Sequence, residues 1–537
     1  MRLSNEELKD RAPWEKAGIL LPGFDREAMI RSTLESPRWV HFGPGNIFRA
    51  FPAVLQQTLL ERGIEKTGVI VVSGQDGEKI DRYFLPYDNL TLAVTLKVDG
   101  SIEKRVVGSI ALALRPDKRE DFDTLKRVFR SPSLQMASFT ITEKGYSISG
   151  SGGVRADVEA DFREGPGAPE SYLGRIAALC YERYLAGRLP LALVSMDNCS
   201  HNGDRLFQAL EPFAARWAGG GLAEKGFLDY MRNPAALSFP WSMIDKITPQ
   251  PDEGVRKMLE SLGYVDDGPS GAKDARNASF VNAEEAQYLV IEDAFPAGRP
   301  ALEKAGVLFT DRDTVDRVEK MKVCTCLNPL HTALAVFGCL LGYTRISAEM
   351  KDPDLVKLVE IIGYREGLPV AADPGVLSPK QFIDEVLQVR FPNPFMPDTP
   401  QRIASDTSQK IPIRFGETIK AYLADPGRNI GDLKLIPLVL AAWLRYLMGL
   451  DDRGEAFTVS PDPLYGSLYP AVSGIRLGQK GPFHRELEGV LSNAAIFAVN
   501  LYEAGLGERV EAYFEELVAG PGAVRAALKR YVGEWEE

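Results

Sequence analysis

Arg38-Trp39-Val40-His41-Phe42-Gly43-Pro44-Gly45-Asn46-Ile47-Phe48-Arg49-Ala50-Phe51 decides the fold. Arg38 to Phe42 is a short strand candidate. It runs into a glycine turn and then a helical pattern carried by Val54, Leu55, Leu59 and Leu60. Gly68-Val69-Ile70-Val71-Val72-Ser73 follows, a β-branched run of the buried-strand type. Strand, glycine turn, helix and strand make a βαβ unit. Small residues in such a turn let the backbone approach a pyrophosphate, whose charge a helix N-terminus favours. Gly43-Pro44-Gly45 lacks the third glycine of the usual fingerprint, so a purely structural turn stands beside the dinucleotide-binding reading. An acidic residue after the second strand would bond the ribose hydroxyls of NAD. Asp76 is the candidate, and between Gly74 and Gly77 it also reads as a turn residue.

Further strands are expected at Leu90 to Leu96, Met136 to Thr142, Pro190 to Met196 and Ser242 to Pro249. Ligands in open α/β sheets bind beyond the carboxyl ends of strands, which singles out Glu143 and Asn198. For each, a turn or cap is the plainer alternative. The stretch from Gly150 to Gly167 reads as an exposed excursion, and Ala294 to Pro300 as a boundary candidate. Past residue 310 the pattern is helical, with helices expected near 329–342, 353–363, 379–388, 414–424, 434–449, 486–504 and 507–518. The fold class is therefore α/β: an expanded Rossmann-type domain over 1–308, then a mainly α-helical substrate and catalytic domain over 309–537, with the active site expected in the cleft between them.

The chain's 537 residues are too many for one ordinary core. A net charge of -11 argues against a general nucleic-acid binder, which usually has a basic face. Five scattered cysteines form no disulfide framework and fit a reducing cytoplasm. Cys324-Thr325-Cys326 has the wrong spacing for a zinc knuckle and reads as packing of a short extended segment, so no metal is expected. The polar start is neither a signal peptide nor an anchor, and no apolar run reaches the length of a membrane span.

Asn328-Pro329-Leu330-His331 can start a helix, with Asn at the N-cap and Pro at the first helical position. The apolar run that follows is fit for burial. An amide and an imidazole thus stand at the mouth of a buried element, with Glu319, Lys320 and Lys322 just upstream. Base, amide and imidazole together suit proton transfer at an oxygen. A well-capped helix beside solvated lysines is the alternative. Gln401 to Lys410 reads as a solvated loop or as a donor pair, Arg402 and Lys410, for a hydroxylated or anionic ligand.

Taken in order, these segments resemble the polyol-specific long-chain dehydrogenases, the mannitol dehydrogenase family. The matching pieces are Gly43 to Ala50, Thr142 to Tyr146, Asp197 to Asp204, Asp245 to Pro249, and Lys322, Leu327, Asn328 and His331, followed by Arg402 and Lys410. The resemblance implies zinc-independent hydride transfer between NAD(H) and a 2-keto sugar or its alcohol. It implies Lys322 as general acid/base, Asn198 and Asn328 on the reacting oxygen, and His331 on a neighbouring hydroxyl. Asp245, Arg402 and Lys410 would bind the rest of the substrate, and Gly43, Gly45, Asn46, Ile47, Arg49, Asp76 and Glu143 the cofactor.

One departure matters. The family's lysine usually lies five residues before the asparagine, where this chain has Val323. In an extended segment a one-residue shift reverses a side chain unless a bulge absorbs it. Glu319 and the Cys-Thr-Cys stretch favour Lys322, with Lys320 as the alternative. The Asn-Pro-Leu-His form resembles the hexuronate-pathway reductases that act on fructuronate and mannonate more than typical mannitol enzymes, with mannitol 2-dehydrogenase and tagaturonate reductase as the alternatives. A catalytically silent NAD(H)-binding sensor is the reading from another class. The expected partners are a small sugar acid or polyol and no nucleic acid or membrane, in a cytoplasmic monomer or small homo-oligomer.

Overall fold

The computed structural model describes residues 1–74, 77–150, 152–266 and 278–535. The chain forms two compact units: Met1–Lys97 with Ser101–Asp316, and Val98–Gly100 with Arg317–Glu537. The Ala294 to Pro300 stretch lies within the first.

The first unit is built on a six-stranded sheet. Its strands are β1 (Trp39–Phe42), β2 (Val69–Val72), β3 (Ile110–Leu114), β4 (Met136–Phe139), β5 (Leu191–Ser195) and β6 (Leu237–Ser238). The spatial order is β6-β5-β4-β1-β2-β3 and every pair is parallel. The order reverses direction at β1, as in a dinucleotide-binding fold. Side chains alternate between two cores. Val40, Phe42, Ile70, Val72, Ala137, Phe139, Leu191 and Leu193 face one side. Trp39, Val69, Val71, Met136, Ala192 and Val194 face the other.

Helices α1 (Asn46–Ala50) and α2 (Pro52–Glu61) cover the second face. Helices α3 (Arg119–Arg130), α4 (Tyr172–Leu185) and α5 (Asn202–Gly219) cover the first. Burial on both faces is why these strands read as unbroken apolar runs. Each fully buried Val, Leu or Ile stabilises the sheet by roughly 1.5–3 kcal/mol.

The strand expected at Leu90 to Leu96 is present as Thr91–Leu96, in a separate four-stranded sheet with Ile19–Leu20, Ile102–Val107 and Phe280–Glu284. One expectation is corrected here. The 150–167 stretch is a short hairpin followed by a helix, Ala156–Glu164, which buries Val158 and Phe162. Its Gly- and Asp-rich composition hid that apolar pair.

The second unit is helical, with α6 (Asn328–Leu341), α7 (Pro353–Ile361) and α8 (Leu435–Leu447) among its central elements. Four π-helical turns occur among its described residues: Met321–Cys326, Ile362–Gly367, Val386–Arg390 and Pro412–Gly416. The first packs against the second and the fourth. The Cys-Thr-Cys segment is therefore a wide helical turn and not extended. Gln401 to Lys410 is also helical in part, as Pro400–Ile403 and Thr407–Ile411. The helix expected at 486–504 breaks into His484–Leu491 and Ala494–Phe497, ending at Ala498 with φ 62°. Joined through its π-turn, Arg312–Leu341 is long and apolar enough to cross a membrane, correcting the expectation from apolar runs alone; 78% of its apolar window is buried inside the protein.

Candidate active site

At the carboxyl end of β1, Gly43 has φ 113°, and a Cβ there would lie 2.1 Å from the Thr140 carbonyl oxygen. Glycine is required by the close approach of this turn to the segment leaving β4. Gly45 and Gly74 differ: nothing lies within 4 Å of a Cβ built at either. They border a cavity of about 340 Å³ that is also lined by Lys79, Thr142, Lys144 and Tyr172. The buried Tyr172 hydroxyl has no hydrogen-bond partner. Open glycines, two cations and an orphaned hydroxyl fit a phosphate-bearing ligand.

Asn46 and Ile47 are half-buried in the first turn of α1. Arg49 is buried, and its guanidinium donates to Thr91 Oγ1 and to the Ala278 carbonyl at 2.8 Å. Its side chain thus ties α1 to the second sheet and is not among those lining the cavity. Glu143 is exposed and pairs with Arg205 at 2.7 Å. Asp76 lies outside the described residues.

The loop after β4 is held by Asp197, whose carboxylate accepts the Ile141 and Thr142 N–H groups at 2.9 and 2.8 Å and the Tyr146 hydroxyl. Thr142 sits at φ 65°, a costly conformation for a β-branched residue, which these bonds maintain. Burial raises the Asp197 pKa, and the three donors oppose that rise. Asn198, just beyond β5, is exposed. The neighbouring Asn202 is buried and donates to the Ser195, Asp197 and Ser242 carbonyls. Asp245 ends the strand Ser242–Asp245 and is buried.

In the second unit, Lys322 is 5% exposed and lies in the Met321–Cys326 π-turn, whereas Lys320 is exposed. The Leu327 N–H donates to the Lys322 carbonyl at 3.1 Å, the i to i+5 bond of a π-turn. A π-turn takes up one residue more than an α-turn without rotating the helix on either side. Lys322 stands six residues before Asn328, with this wide turn between them. Asn328 is the first residue of α6, with Leu327 at the N-cap, one position from expectation.

One turn on, His331 Nε2 is buried with no hydrogen-bond partner. Its ring packs against Phe391 at 4.9 Å. Burial, then the charges of Arg414, Arg402, Arg390 and Lys410, pull its pKa down to about 3, so the imidazole is neutral. Asp398 lies 3.7 Å from Nε2 and pairs with Arg402. Lys410 donates to the Ile403 and Ser405 carbonyls. Arg414 donates to Thr332 Oγ1 at 2.5 Å and lies 3.5 Å from the Asn328 carbonyl. The second unit thus brings His331, Arg402 and Lys410 into one charged cluster. Among the described residues, no group of three or more His, Cys, Asp or Glu is arranged to hold a metal ion.

The mannitol dehydrogenase Rossmann domain model matches residues 37–304, and the mannitol dehydrogenase C-terminal domain model matches 314–518. The chain belongs to the mannitol dehydrogenase family. Within it, a D-mannonate oxidoreductase from Thermotoga maritima is 52% identical over 99% of each chain. A polyol:NADP oxidoreductase from Gluconobacter oxydans is 29% identical over 84% of this chain and 87% of its own. The structure of Pseudomonas fluorescens mannitol 2-dehydrogenase with NAD and D-mannitol is 28% identical, covers 99% of this chain and all of its own, and has a TM-score of 0.69.

This family member is an oxidoreductase with a Rossmann-type first domain and a helical second one. Sequence reasoning missed Asp197, Asn202 and Arg414 as organising residues. Asp197 and Asn202 lie in the polar Asp197 to Asp204 segment, whose composition carries no local signal of their burial. Arg414 becomes notable only once folding sets it beside the start of α6.

Proposed function

We propose that this chain is an NAD-dependent secondary-alcohol oxidoreductase that interconverts D-fructuronate and D-mannonate without a metal. The substrate assignment is carried by the 52% identity, over 99% of each chain, to a protein named D-mannonate oxidoreductase. The excess of cations around His331 supports it, since a sugar acid brings a carboxylate. The cofactor is held by the region 1–308, through Gly43, Gly45, Asn46, Ile47 and Glu143, with Asp76 on the ribose; Arg49 supports α1 from beneath. When bound, NAD(H) supplies or takes up the hydride.

Lys322 gives a proton to the carbonyl oxygen in reduction and removes it from the hydroxyl in oxidation. A lysine in this role has to exchange its proton near neutral pH. Asn198 and Asn328 hold the reacting oxygen and stabilise its developing charge. Neutral His331 bonds the neighbouring hydroxyl through its unpartnered Nε2. Asp245, Arg402 and Lys410 bind the remaining oxygens.

The test is NADH oxidation, followed by absorbance, with D-fructuronate, D-tagaturonate and D-fructose in parallel, and NADPH replacing NADH in a second series. Turnover that favours fructuronate with NADH is expected. A preference for fructose or tagaturonate would move the assignment to a mannitol 2-dehydrogenase or a tagaturonate reductase. NADH binding without turnover of any of them would leave a non-catalytic sensor.

A further inference from the structure

We propose that Arg414 recognises the substrate's carboxylate and thereby selects a sugar acid over a neutral polyol. The inference rests on the function proposed above and adds a specificity residue to it. Of the four cations around His331, Arg390 is buried at the end of the Val386–Arg390 π-turn, and two others are already compensated. Arg402 is paired with Asp398, and its side chain is 62% exposed. Lys410 is bound by the Ile403 and Ser405 carbonyls, with Asp406 and Asp462 adding favourable charge.

Arg414 is different. It is half-buried, and its partners are neutral: the Thr332 hydroxyl and the Asn328 carbonyl. Burial pulls its pKa down to about 10, and no carboxylate opposes the effect. A buried cation without a counter-charge is costly, and an arriving anion removes that cost. The guanidinium has five N–H donors in a planar fork that matches a carboxylate. Its position suits the task. Arg414 lies in the Pro412–Gly416 π-turn, which packs against the π-turn that carries Lys322. It also touches the first turn of α6, from which Asn328 and His331 project. A neutral polyol would leave the cation unpaired, and sites built around a polar partner discriminate strongly against ligands that lack it.

The test is calorimetric binding of D-mannonate and D-mannitol, with NADH present so that neither is oxidised, to the wild type, R414Q and R414K. Kinetics with fructuronate and fructose and a thermal melt accompany it. R414Q should weaken mannonate binding roughly 10- to 100-fold, the loss of a charge-assisted pair, and mannitol binding much less. R414K keeps the charge without the fork and should fall between. If R414Q does not fold, a mannonate-specific loss in R414K supports the assignment and an unchanged mannonate affinity in R414K defeats it. Equal losses for both ligands in a folded variant, unchanged mannonate binding in R414Q, or a wild type that prefers mannitol would overturn it. A wild type that binds mannonate but fails to reduce fructuronate would defeat the proposed function alone, leaving the binding comparison decisive.

Discussion

A buried ionisable side chain needs a partner, a proton or a ligand, and two glutamates of the second unit illustrate the first two. Glu366 is fully buried and accepts the N–H groups of Lys434, Leu435 and Ile436 at 2.7, 2.7 and 2.8 Å, capping α8. Burial raises its pKa to about 7 even against those donors. Glu349 is also fully buried, but neither carboxylate oxygen has a partner, and burial, aided by Asp352, raises its pKa to about 9. Gly338 makes the room, since a Cβ there would lie 2.1 Å from Glu349 Oε1. A raised carboxyl pKa means that the folded chain binds more protons than the unfolded one. The stability so gained is complete below the unfolded value, about 4.5, and is lost progressively as pH rises to about 9. The melting temperature of Glu349→Gln should therefore fall less than that of the wild type between pH 5 and pH 9. Parallel curves would refute the neutral carboxylic acid. Glu349's burial comes from packing and not from its immediate neighbours: Gly338, in the preceding helix α6, leaves the space its carboxylate fills.

At the scale of elements, the glycine turn after β1 was legible because β-branched runs flank it, but its two glycines do different work. Gly43 is fixed by sterics, with a positive φ and the Thr140 carbonyl against its missing Cβ, whereas Gly45 faces open space. Gly43→Ala should lower stability by about 2 kcal/mol or more, from backbone strain and the clash together. Gly45→Ala should leave the melt nearly unchanged and weaken NADH binding, measured by fluorescence titration. Equal melts for the two variants would contradict the assignment. The π-turns were not legible at all. An α-turn and a π-turn differ by one residue, and composition does not distinguish them. Cys324-Thr325-Cys326 therefore reads as extended in sequence yet lies in a π-turn. The same turn carries Lys322, whose spacing from Asn328 is one residue longer than the resemblance leads one to expect.

Across the whole molecule, the parallel sheet was readable because strands buried on both faces are written in Val, Ile and Leu, as in Val69–Val72 and Leu191–Ser195. What pairs with what was not readable: Thr91–Leu96 looks like its neighbours yet joins a separate sheet, alongside Phe280–Glu284, far along the chain. The charged cluster around His331 is equally non-local, since Arg390, Arg402, Lys410 and Arg414 lie some sixty to eighty residues further on. The chemistry proposed for the molecule rests on one proton donor. The most direct measurement is kcat for fructuronate reduction by the wild type, Lys322→Ala and Lys320→Ala, with NADH affinity measured for each. Lys322→Ala should lose roughly 100- to 10,000-fold in kcat while binding NADH normally, the range for a lost general acid. Lys320→Ala, on the exposed side of the preceding helix, should stay near the wild type. Wild-type turnover in Lys322→Ala, or the loss falling on Lys320→Ala instead, would contradict the lysine acid/base held in the π-turn.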